Sequence, residues 1–90
     1  IVLIIVFSGM LSPKTPLSYY KMTESFDHSG DDIKNFPGKT PDECAAECNK
    51  DQNCRAFNFH RFDPNAGCWL KNKNALSGGG PAPWNFYTKK

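Results

Sequence analysis

Four cysteines, at positions 44, 48, 54 and 68 of a 90-residue chain, constrain what this sequence can fold into more than any other feature. A chain of this length buries only about 60–65% of the surface its unfolded form exposes. Its apolar core is therefore marginal and calls for a staple such as a disulfide or a metal. An even cysteine count in a short chain favours disulfides, and disulfides persist outside the reducing cytosol. Ninety residues also make a single small domain, with no room for a second core. The expectation is a small secreted domain.

The clearest local signal lies just before the first cysteine. Thr40 can cap a helix, Pro41 suits its first position, and Glu43 completes a capping box. Asp42 and Glu43 also match the positive end of a helix dipole. A helix is expected over about 41–50, with Cys44 and Cys48 on one face and Glu47 and Lys50 pointing elsewhere. Cys44 and Cys48 then stand parallel and cannot easily bridge each other. Five residues separate Cys48 from Cys54, which favours a Cys48–Cys54 bridge inside a Cys44–Cys68 bridge. A zinc site is the rival use of four cysteines. It fits poorly, because structural zinc ligands come in close pairs, whereas Cys54 and Cys68 are far apart and His28 and His60 add no regular spacing.

Elsewhere the pattern alternates between strand and turn. Tyr19–Met22 reads as a short strand. Glu24–Asp32 is acidic, with Asp27, Asp31 and Asp32 around Gly30. Lacking the EF-hand spacing and its closing Glu, it reads as a solvated turn and not a calcium loop, closed by Pro37-Gly38. Phe57 and Phe59 alternate with Asn58 and His60 as in a half-buried strand. Asp63–Gly67 is turn chemistry, and Cys68–Lys71 returns as the hairpin partner. Residues 72–83, with Gly78-Gly79-Gly80-Pro81, read as a flexible loop, and Trp84–Thr88 as a closing strand.

The chain divides into residues 1–18 and residues 19–90. Ile1, Val2, Leu3, Ile4, Ile5, Val6 and Phe7 form the most apolar run, far short of the roughly 20 residues that span a bilayer as a helix. Two readings stand side by side. The run is the tail of a signal peptide cleaved after Ser8, or it is a strand donated to a neighbouring copy of the chain, which builds an open filament. Residues 8–18, with Ser12-Pro13 and Thr15-Pro16, read as a linker. No Asn-x-Ser/Thr acceptor occurs, so any glycan is O-linked, and this linker is the place for it.

Gly30-Asp31-Asp32-Ile33, then Cys44-x3-Cys48-x5-Cys54-Arg-Ala-Phe57-Asn-Phe59, then Cys68-Trp-Leu-Lys71, resembles a PAN/Apple domain over about residues 19–88. The resemblance implies an α+β fold, a curved antiparallel sheet cradling one helix, stapled by nested disulfides and preceded here by an extended hydrophobic N-terminal segment. Longer Apple domains add a third disulfide joining their ends. This chain resembles the shorter four-cysteine form, which implies looser ends. The resemblance also implies an extracellular, non-catalytic module that binds a glycan or a protein. It fixes no binding residue.

The residues agree with a binding module. A net charge of +2, with the basic residues scattered, gives no stripe for nucleic acid. No nucleophile–base pair, metal motif or phosphate loop stands out, so neither an enzyme nor a cofactor is expected. His60 reads as a surface or half-buried residue. Aromatic residues make up 13% of the chain, and sugar sites combine aromatic faces with nearby polar groups. Phe57, Phe59 and Leu70 read as core. Trp69, Lys71, Lys73 and Trp84 are the candidate ligand-binding patch.

Overall fold

A computed structural model describes residues 15–76 and 78–90. Five strands form one antiparallel sheet: β1 (Tyr20–Thr23), β2 (Asp32–Phe36), β3 (Ala56–His60), β4 (Cys68–Lys71) and β5 (Trp84–Lys89), in the order β1-β5-β3-β4-β2. One helix, α1 (Pro41–Lys50), packs across β3 and β4. The apolar run at residues 1–7 and most of the linker lie outside the described residues, so the donor strand and the signal remnant both lie there too.

The helix starts where its capping box places it. Thr40 Oγ1 accepts from the Glu43 amide at 3.2 Å, and Glu43 Oε1 accepts from the Thr40 amide at 2.8 Å. These reciprocal bonds satisfy amides that no helical turn can reach. The face so oriented buries Cys44, Ala45 and Cys48 against Phe57, Leu70, Cys68 and Tyr87. Disulfides Cys44–Cys68 and Cys48–Cys54 pin it to β4 and to the segment before β3. Tyr20 ties the edge strand into the same core: its ring meets Phe57 edge-on at 5.3 Å, and its hydroxyl donates to Asn49 Oδ1 at 2.7 Å.

Three local expectations are corrected. Residues 32–36 form a strand, not the end of a loop. Asp, Lys and Asn disfavour strands on their own, but β4 offers a free edge, and a register shift between Asp32 and Lys34 lets Ile33 and Phe36 pack on the core. Asn35 fastens the pairing, donating to Cys68 O at 3.0 Å. Pro16–Tyr19, of which the first three were read as linker and Tyr19 as the start of a strand, form a 3-10 turn with proline at its start, and it packs on α1. The ends are not loose. Tyr20 pairs with Lys89 in the β1–β5 ladder, and the Lys90 amide donates to Tyr19 O at 2.9 Å.

Alternation along the strands gives the sheet a second face, opposite α1. Ala56, Asn58, Trp69, Lys71, Trp84 and Phe86 belong to it by parity with the core residues Phe57, Leu70 and Tyr87. The segment before β2 folds over this face. There the acidic turn, read as solvated, has a buried interior: His28 is 1% exposed and stacks on Phe86 with ring centroids 5.1 Å apart.

Candidate functional site

The second face is organised by Asn58, which is 1% exposed at the centre of β3. Its Oδ1 accepts from the His28 amide at 2.9 Å, and its Nδ2 donates to Phe26 O at 2.8 Å and to Asn85 O at 3.2 Å. The side-chain amide thus holds residues 26–28 flat against the sheet. Backbone hydrogen bonds extend the clamp: the Phe26 amide donates to Trp84 O at 2.8 Å, and Asp27 exchanges bonds with Gly79.

His28 has acceptors on both sides. Nε2 lies 2.7 Å from Asp31 Oδ2, and Nδ1 lies 2.8 Å from Ala75 O. Both bonds are complete only when both ring nitrogens carry hydrogen. The hydrogen bond from His28 holds the Asp31 carboxyl below the usual carboxylate range; desolvation opposes it, and Lys73 and Lys71 add to it. The segment 72–83, read as a flexible loop, is drawn onto this face through Ala75 and Gly79. At Gly78, with φ +123°, a Cβ would sit 2.3 Å from Asp27 O, so the approach requires glycine.

Between this clamp and β4 lies an open cavity of about 190 Å³. Trp69 and Trp84 line it, with Lys71, Asp27, Asp32 and Ser29. The register explains why these residues meet: Trp69 lies across from Asn58 on β3, and Trp84 lies across from His60. His60 supports the wall. Its ring meets Trp84 edge-on at 4.9 Å, and its Nδ1 accepts from the Asp63 amide at 3.0 Å.

Trp69, Lys71 and Trp84 of the sequence-derived patch share this cavity. Lys73 is exposed and does not line it, because the chain has left β4 by that point. Lys71 is not a free cation: its Nζ donates to Gly30 O at 3.0 Å and pairs with Asp32. Sequence reasoning missed Asp27, Ser29 and Asp32 as lining residues and missed the pairing of buried His28 with exposed Asp31. The only sequence signal for the pair was their i, i+3 spacing inside an acidic stretch. Among the described residues, no group of three or more His, Cys, Asp or Glu side chains is placed to hold a metal ion.

A nested pair of disulfides between one helix and an antiparallel sheet is the arrangement the cysteine spacing implies. A family model described as PAN domain matches residues 26–71, from the clamp segment to the end of β4. The chain belongs to the PAN domain family. Comparisons with curated proteins and with solved structures give no match. PAN domains are generally non-catalytic modules that bind proteins or carbohydrates. In this PAN domain the matched stretch contains both disulfides, Asn58 with its partners Phe26 and His28, and every cavity-lining residue named above except Trp84. No helix among the described residues is long and apolar enough to cross a membrane.

Proposed function

We propose that this PAN domain is a secreted, non-catalytic adhesion module whose cavity on the second sheet face holds a sugar unit of an extracellular glycan. One observation carries the reading. Two tryptophans line the same small cavity as polar groups that have no hydrogen-bond partner among the described residues: the Asp27 carboxylate and the Ser29 hydroxyl. A pyranose ring presents C–H faces and hydroxyls together, so indole surfaces and hydrogen-bonding groups are both needed to hold it. The cavity is smaller than the roughly 300–1,000 Å³ of pockets for drug-sized ligands, which fits one ring of a chain and not a longer stretch. The two disulfides suit an extracellular setting.

The test is a titration of the labelled, oxidised protein with neutral monosaccharides, following the indole N–H signals of Trp69 and Trp84 by NMR. Saturable shifts at both indoles are expected, lost in Trp69→Ala with the fold intact, since Trp69 is 37% exposed. Indole signals that no sugar moves would refute the reading.

A further inference from the structure

We infer that the cavity discriminates among sugar rings by charge, preferring amine-bearing rings to neutral ones and neutral rings to uronic or sulfated ones. The inference rests on the sugar-binding reading above and adds the chemical class of the ring.

Two carboxylates, Asp27 and Asp32, line the cavity against one ammonium, Lys71. Among the described residues Lys71 is the only cation lining it, and it is already engaged: of its three N–H donors, one goes to Gly30 O and one to Asp32 Oδ1. Its side chain is 5% exposed, so its stem cannot swing out to meet an incoming anion. Asp32 keeps its second oxygen, and Asp27 has no side-chain partner among the described residues. Outside the lining, Asp31 is neighboured by Lys73, so these two charges offset each other. The cavity is therefore net negative within a chain whose overall charge is +2. An indole face adds to the preference, since its quadrupole attracts cations and repels anions.

Asn58 also lines the cavity but takes no part in the selection. Both donors of its amide and its carbonyl oxygen are engaged with Phe26, Asn85 and His28. What a ring hydroxyl or ammonium meets is the Asp27 carboxylate, the remaining Asp32 oxygen, the Ser29 hydroxyl and one N–H of Lys71. Most of that set accepts hydrogen bonds. A ring bearing a carboxylate or sulfate brings further acceptors and a like charge.

Matched rings test this. Glucosamine, glucose and glucuronate, with the galacto series as a second set, are titrated at about pH 6, where the amine is protonated. The readout is the Trp69 and Trp84 indole signals. The amino sugar is expected to bind about fivefold more tightly than the neutral one, the factor a unit charge about 4 Å away in water produces. The uronate is expected to bind more weakly by a similar factor, and added salt should narrow both gaps. Asp27→Asn, whose side chain supports nothing else in the fold, should cut most of the amine's advantage without changing thermal stability, leaving the smaller share that the indole faces contribute. Uronates or sulfated sugars binding the indoles as tightly as neutral ones would overturn the charge inference and leave the sugar site standing. An amine advantage that is undiminished in Asp27→Asn would also overturn it. Silence from every sugar in both series would remove the sugar site and this inference together.

Discussion

Asn58→Ala is a substitution whose consequence the structure allows one to work out bond by bond. It deletes one acceptor and two donors at a site 1% exposed, and strands the His28 amide, Phe26 O and Asn85 O. At about 1 kcal/mol net per hydrogen bond, the three together contribute about 3 kcal/mol, more if the His28 amide stays dry. For a domain of this size each kcal/mol shifts Tm by about 4–8 °C, so a fall of roughly 12–24 °C is expected. The assay is thermal and denaturant unfolding of the oxidised protein, with hydrogen exchange at the His28 amide. The disulfides and α1 lie on the other face, so helical circular dichroism should survive at low temperature while His28 loses protection. A loss below about 1 kcal/mol, or an unchanged His28 exchange rate, would show that the acidic segment is held by something other than this clamp.

Three further outcomes are expected. Asp31 is depressed by its bond to His28, so its contribution is complete above the ordinary carboxylate range and is lost as pH falls through its lowered folded value; Tm measured against pH should show that acid-side fall, and Asp31→Asn should remove it. Gly67 has φ +64°, and a Cβ there would lie 2.0 Å from Phe36 O, so Gly67→Ala should cost at least about 1–3 kcal/mol in denaturant unfolding and disturb the β2–β4 pairing. Replacing Cys48 and Cys54 together by alanine should cost about 2.4 kcal/mol, against about 3.5 for Cys44 and Cys68, from the seven- and 25-residue loops they close; equal losses in unfolding experiments would count against the loop-entropy account.

The helix was legible because its signal is local: Thr40, Pro41 and Glu43 lie within one turn of each other. The β3–β4 hairpin and β5 were legible from alternation, which also set Trp69 and Trp84 on the face away from the core. β2 was not. Asp32, Lys34 and Asn35 are poor strand formers, and what makes them a strand is the edge of β4, more than thirty residues away in the chain. The same long range hid the site's polar wall. Asp27 and Asp32 look like solvated acids until Asn58 and the Gly78–Gly80 segment press their loop onto the sheet. Lys73 falls outside the cavity because residue parity holds only while the strand lasts, and β4 stops at Lys71.

The β1–β5 ladder has a mechanical consequence. Its first pair, Tyr20 with Lys89, lies at the end of the ladder where β1 begins and β5 ends, so a pull applied across the sheet from those two points loads that pair first. The two strands then part like a zipper, one rung at a time, and do not slide against each other as a block. Peeling strips β1 and then β5 from the sheet, but it stops short of the stapled part, because Cys44–Cys68 and Cys48–Cys54 keep α1, β4 and the start of β3 joined whatever the tension. Trp84 sits on β5, so tension that strips this strand also dismantles one wall of the cavity.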